Sequence, residues 1–202
     1  MAMKQKELEM LLQKIGPHPD PSPRLEQYST PATIAADVLY FAYGQGDIHG
    51  KKVVDPGCGT GVLAIGAKLL GAGDVVALDV DEVAVDAAMK NADALGVDIC
   101  FLTMDFGEFP ERCDTVIMNP PFGAQKENIH ADAAFLDKAA EVGDVVYSFH
   151  KAETEEFVRR KLGELGRKPT HVLSYKFPIP HMFDFHESEA EEVDVMLLRI
   201  TR

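Results

Sequence analysis

The most chemically suggestive stretch of the chain is "MNPPFGAQ", residues 118–125. It directly follows "CDTVI", an apolar run with a β-branched centre that reads as a buried strand. Two prolines remove two backbone donors and fix φ, so neither residue can extend a sheet ladder. Asn-Gly or Asp-Gly would reverse the chain more simply. The spacing predicts that Asn119 and Phe122 are held in a set orientation, with Phe122 exposed. A second stretch, "VVDPGCGTGVLAIG" at residues 53–66, places Gly57, Gly59 and Gly61 at alternating positions after a short strand. Glycines there let the backbone turn tightly and approach a ligand under the N-terminus of the next helix. A dinucleotide fingerprint needs its third glycine at position 62, which is Val62, and no Walker lysine follows the turn. A nicotinamide dehydrogenase is therefore disfavoured.

The pattern Asp55-x-Gly57-x-Gly59-x-Gly61 resembles the first motif of S-adenosylmethionine-dependent methyltransferases of the Rossmann-like class. The resemblance implies that Asp55 faces the ammonium of the methionine moiety, directly or through water. Asp79 ends the second strand and would accept both ribose hydroxyls. Asp105, after the third strand, would accept a hydrogen bond from the adenine amine. The alternative for each acid is a strand-end cap, and for Asp81 that is the favoured reading. Pro56 departs from the Leu or Val usual after the aspartate, which implies a stiffer turn. Upstream, "LEQYSTP" resembles a segment that covers the cofactor, with Gln27, Tyr28 and Thr30 matching it. The segment also reads as a helix start in which Thr30 is the cap and Pro31 the first helical residue. The two readings are compatible.

Asn-Pro-Pro-aromatic after the fourth strand, together with that glycine turn, resembles the amino-methyltransferases. These modify the exocyclic nitrogen of adenine, cytosine or guanine, or a glutamine amide. Such a nitrogen is a poor nucleophile because its lone pair is delocalised. The resemblance implies that the Asn119 side-chain oxygen and the Pro120 carbonyl each accept one N–H. The lone pair would then point at the methyl group. Pro120 and Pro121 would fix that geometry, and Phe122 would offer a stacking face worth ~1–3 kcal/mol. Asn119 also borders the cofactor. No strong base is required, because alignment and electrostatics carry the task.

The fourth motif residue is Phe122, where protein-glutamine enzymes usually carry Tyr. "LEQYSTP", "DPGCGTGVLAIGAKLLGA", "NPPFG", "AFLDKA", "VYSFHK" and "EEVDVMLLRI" occur in the order found in a small adenine-N6 methyltransferase family acting on small-subunit ribosomal RNA. The resemblance runs from about residue 24 to 200. It implies methylation of an adenosine that has left its stack. It also implies a small zinc-binding activator protein that extends the sheet near the second and third strands, where "DICFLTM" needs cover. A protein-glutamine methyltransferase and a non-catalytic ribosome-assembly factor of the same fold remain as alternatives.

These residues need a scaffold, and the chain supplies a regular alternation. After an amphipathic N-terminal helix and a Pro-rich connector, "PATIAADVLYFAYG" reads as a helix. Strands follow at "KKVVD", "DVVALDVD", "VDICFLTMD", "CDTVIMN" and "DVVYSFH", with helices between most of them. "AETEEFVRRKLGELG" reads as a helix, and "THVLSYKFPI" and "EEVDVMLLRITR" as a closing pair of strands. The expectation is a Rossmann-like, doubly wound α/β domain over residues 1–202, with residues 1–43 as a helical, cofactor-covering extension. Its sheet should have seven strands, mostly parallel, with a C-terminal antiparallel edge pair. Ligands should bind at the carboxyl ends of the strands.

Composition narrows the setting. The chain has 202 residues and a formal net charge of −13, an awkward balance for a nucleic-acid protein. A local basic patch is therefore expected. Lys151, Arg159, Arg160, Lys161, Arg167, Lys168 and Lys176 cluster against four acids, and His150 and Lys151 read as phosphate contacts near the bound base. The three cysteines, Cys58, Cys100 and Cys113, lack paired spacing and read as buried thiols in a reducing, cytoplasmic compartment. His181 and His186 do not share a helical or strand face, so no metal site is expected. No apolar run reaches the length of a membrane span, and the N-terminus lacks a signal-peptide core.

Overall fold

The computed structural model describes residues 3–22, 27, 29–122, 131–179 and 191–202. Helices α1 (Gln5–Leu12) and α2 (Ala32–Gly44) precede β1 (Val53–Pro56), α3 (Val62–Leu69), β2 (Val75–Asp79), α4 (Glu82–Leu95) and β3 (Cys100–Thr103). A short 3-10 turn at Phe106–Glu108 leads to β4 (Cys113–Met118), α5 (Ala131–Val142), β5 (Gly143–Lys151), α6 (Glu155–Glu164), β6 (Lys168–Ile179) and β7 (Glu191–Thr201). The seven strands form one sheet in the order β3-β2-β1-β4-β5-β7-β6. The first five strands pair in parallel, while β7 runs antiparallel to both β5 and β6. This is the doubly wound, mostly parallel α/β sheet with an antiparallel C-terminal edge pair that the alternation predicts.

Strand periodicity splits the core into two layers. Val53, Val75, Ala77, Ile117, Tyr147 and Phe149 face α1, α2, α3 and α4. Val54, Val76, Leu78, Val116, Met118 and Val146 face α5, α6 and the 3-10 turn. Both faces of the central strands are thus covered, which explains their near-continuous apolar sequence. Gly66 permits the tight crossing of α3 and α2, because a Cβ there would strike Leu39. The chain order reverses between β1 and β4, which opens a crevice at their carboxyl ends.

The sheet also holds a buried charge cluster. Tyr147 Oη donates to Asp47 Oδ2 at 2.5 Å, and Arg199 Nε donates to the same atom at 2.8 Å. Thr115 Oγ1 donates to the Asp47 carbonyl at 2.6 Å. These contacts tie the α2–β1 connection to β4, β5 and β7.

Two expectations change. Cys100 is exposed on the edge strand β3, whereas Cys58 and Cys113 are buried, and all three thiols are free. The N-terminal helix is confined to Gln5–Leu12, with Leu8 and Leu12 anchoring it. Among the described residues no helix is long and apolar enough to cross a membrane. His181 and His186 lie outside the described residues.

Candidate active site

A cavity of about 240 Å³ opens where β1, β2 and β4 end. Gly57 and Gly59 line it, and Gly57, Gly59 and Gly61 all have positive φ. Gly61, at φ +85°, also caps the start of α3, and a Cβ on it would come within 3.1 Å of Ala88. At Gly59 a Cβ would meet nothing within 4 Å, so the bare backbone presents open space to a ligand. The glycine turn is therefore required both by conformation and by close approach.

Asp55 ends β1 beneath this turn and is 1% exposed. Its Oδ2 accepts the Ala64 N–H at 2.9 Å, and its Oδ1 is buried without a partner. Burial pushes its carboxyl up to about 8, with the Asp79 charge adding to the effect and the Ala64 hydrogen bond opposing it. Burial disfavours the charged form, and a cationic ligand group beside the unpaired oxygen would favour it again. Asp79 ends β2, and its carboxylate accepts Gly59 N–H and Asp81 N–H, both at 3.0 Å. Burial raises its pKa as well. Those two donors fix the carboxylate and leave it further acceptor capacity on the cavity it lines. Asp105 also lines the cavity, while capping the 3-10 turn through Gly107 N–H at 2.6 Å.

Asp81 is the N-cap of α4, accepting Val83 N–H at 3.0 Å. Its other oxygen accepts Gln27 Nε2 at 2.7 Å and lies 3.2 Å from His18 Nε2. Burial alone would raise this carboxyl, but the contacts from Gln27, Val83 and His18 together lower it. The cap reading thus describes Asp81, with a second role as the anchor of the N-terminal connector. Gln27 lines the cavity while its amide is engaged by Asp81 and by Ser22 N–H, the latter at 2.7 Å. Tyr28 lies outside the described residues. His18 and Phe135 line the same cavity and carry no signal in the sequence. Asn91 accepts Gly16 N–H at 3.0 Å and donates to the Thr60 carbonyl at 3.0 Å, joining connector and glycine turn.

Asn119 stands at the end of β4 on the cavity wall. Its Nδ2 donates to Thr30 Oγ1 at 3.2 Å, and its Oδ1 is buried without a hydrogen-bond partner. Thr30 does not cap α2. Pro31 occupies the N-cap position with no side-chain cap bond, an arrangement that forgoes about 1 kcal/mol of helix stabilisation. Pro120 is buried, and Pro121 lines the cavity.

Phe122 differs from expectation. It is 8% exposed and packs against Phe177 of β6, with ring centroids 6.3 Å apart. Its ring anchors the motif in the core and does not present a free face. His150 also differs. It is 2% exposed, bonded to Ser148 Oγ at 2.8 Å, and burial drives its pKa down to about 4. A neutral buried imidazole on an interior strand is no phosphate contact. Lys151 is partly exposed and sits 3.7 Å from Glu153. Most of the expected basic cluster is engaged by acids or carbonyls as well. Arg167 is buried and donates to the carbonyls of Ala140, Gly143 and Asp144. Lys161, Arg159 and Lys176 pair with Asp137, Glu155 and Asp194.

The residues around the cavity fit the methyl donor that the sequence implies. The open glycine floor suits close approach, the orphaned Asp55 oxygen suits an ammonium, and Asp79 suits paired hydroxyls.

Comparison with known proteins adds an independent line. A family model described as ribosomal protein L11 methyltransferase (PrmA) matches residues 40–120, under half of the chain. That span runs from α2 to Pro120 and so covers the glycine turn and all three acids. Similarity over the whole chain lies elsewhere. An uncharacterized protein of Methanocaldococcus jannaschii is 42% identical over 99% of this chain and 95% of its own length. The rRNA N(6)-adenosine-methyltransferase METTL5 of Danio rerio is 36% identical over 98% of this chain and 99% of its own. A crystal structure of a suspected RNA methyltransferase from Pyrococcus horikoshii superposes with a TM-score of 0.91 at 43% identity, covering 100% of this chain and 99% of that one.

Proposed function

The chain belongs to the METTL5 family of S-adenosylmethionine-dependent rRNA N6-adenosine methyltransferases, and from that premise we propose that it methylates N6 of one adenosine in small-subunit ribosomal RNA. The observation that carries this reading is the Asn119 oxygen, buried on the cavity wall with nothing bonded to it. An orphaned buried acceptor costs roughly 1–3 kcal/mol, and an incoming exocyclic amine offers the missing donor. Asn119 Oδ1 takes one N–H of the amine and the Pro120 carbonyl takes the other. The rigid Pro-Pro backbone keeps the two acceptors in place. Gly57, Gly59 and Gly61 admit the methyl donor, Asp55 holds its ammonium, Asp79 its ribose, and Asp105 its adenine. Gln27 and Thr30 close the connector over it. S-adenosylmethionine, when bound, supplies an activated methyl group on a sulfonium. Residues 1–202 act together as one catalytic domain.

Two further elements belong to this reading. Among the described residues the edge strand β3 has one neighbour in the sheet, and its Cys100 and Thr103 are exposed, with Phe101 and Leu102 only partly covered. A small zinc-binding activator that adds a strand at this edge would cover that surface. Lys151 remains the candidate phosphate contact near the base. The three free thiols suit a cytoplasmic setting.

The test is methyl transfer from labelled S-adenosylmethionine to unmodified small ribosomal subunits, followed by mass spectrometry of the digested RNA. N6-methyladenosine that appears with the wild type and vanishes with Asn119→Ala is the expected result. Label in protein and not in RNA, with or without a partner protein added, would overturn it.

A further inference from the structure

The connector that precedes α2 reaches the reacting end of the cavity. Thr30 is buried, and its hydroxyl takes the Asn119 Nδ2 across 89 residues of sequence. Described residues on both sides of this contact are anchored. Gln27 binds Asp81, and α2 is set in the core by Ala35 and Leu39. Thr30 therefore stands between an anchored Gln27 and the buried face of α2.

An asparagine side chain can turn its oxygen or its nitrogen toward a ligand. Only the oxygen is useful to an amine, since the nitrogen would set N–H against N–H. With Nδ2 held by Thr30, Oδ1 must face the other way. We propose that Thr30 is a positioning residue for methyl transfer, holding the Asn119 amide so that its oxygen meets the target amine. The inference rests on the two-acceptor reading of Asn119 and assigns the Thr30 hydroxyl a task distinct from covering the cofactor.

Thr30→Val keeps the shape and deletes the hydroxyl, whereas Thr30→Ser restores it. Thr30→Val should lower kcat by about 10- to 100-fold, the scale of a misaligned reacting group, with the Kd for S-adenosylhomocysteine changed by less than about threefold. Thr30→Ser should recover most of the rate. A readout that needs no substrate runs beside it. The Asn119 side-chain amide protons, identified in 1H–15N spectra by their loss in Asn119→Ala, should exchange faster with solvent in Thr30→Val and not in Thr30→Ser. Unchanged exchange in Thr30→Val would overturn the inference whatever the substrate proves to be. So would a loss of cofactor affinity as large as the loss of rate, because Thr30 would then act on the cofactor. If Asn119→Ala itself retains turnover, the two-acceptor reading fails, and the exchange measurement still decides whether Thr30 holds Asn119.

Discussion

Replacing Asp55 with Asn removes the ionisable group from the most deeply buried carboxyl of the cavity. The native carboxyl keeps its proton up to about 8, against 3.8 for a free side chain. Between those values the unfolded chain has released a proton that the folded chain retains. Stability from this group is therefore complete below 3.8 and declines as pH rises toward 8, at roughly 1.4 kcal/mol per pH unit. Near neutral pH the accumulated cost is roughly 4 kcal/mol, a large part of the stability of an ordinary domain. Asn keeps the acceptor for Ala64 N–H but places an unpartnered NH2 in the buried position of Oδ1, which costs about 1–3 kcal/mol at every pH. The variant should thus be similar to the wild type or less stable at about pH 5, and more stable at about pH 8. The difference should grow by roughly 3–4 kcal/mol across that range. Urea unfolding of both proteins at closely spaced pH values measures it. A stability difference that stays flat with pH would refute the reasoning, because Asp55 would then ionise like a surface carboxylate. If Asp55 holds the ammonium, the variant should at the same time bind S-adenosylhomocysteine more weakly.

Asp79→Ala should weaken S-adenosylhomocysteine binding by about 10- to 100-fold, the loss of a charge-assisted pair of hydrogen bonds, as read by calorimetry. Unaltered affinity would remove the ribose role. Asp47→Ala should destabilise the fold by about 3–5 kcal/mol in urea unfolding, because Arg199 and Tyr147 lose their shared buried partner. In that variant a cofactor affinity unchanged at low temperature would place the cluster outside the site.

The framework was readable because it depends on short-range pattern. Glycine spacing after β1, acids at strand ends and alternating apolar runs each declare themselves within a few residues. Asn119 was readable for the same reason, since two prolines mark it. The misread residues depend on partners far along the chain. Phe122 looked exposed because Phe177, which buries it, lies on β6 and not beside it in sequence. His150 looked like a phosphate contact because nothing local shows that its strand becomes interior once β7 pairs Met196 against it. The Thr30–Asn119 and His18–Asp81 contacts join segments whose meeting only the closed fold determines. The basic cluster failed for another reason. Counting charges along the chain takes no account of the acids and carbonyls that neutralise them in space.

The position of β7 has a consequence for how the chain becomes a protein. Among the described residues β6 pairs only with β7 in the sheet, and β7 sits between β6 and β5. During synthesis β6 emerges before β7, the strand it pairs with, and β5 waits with its outer edge open. β7 must then cover the β5 edge, alone or already paired with β6, and it brings Arg199 to Asp47 as it docks. Closure of the sheet waits for its last strand. Until that happens, an unpaired β5 edge is available to neighbouring nascent chains, so the late strand governs the vulnerable interval of folding.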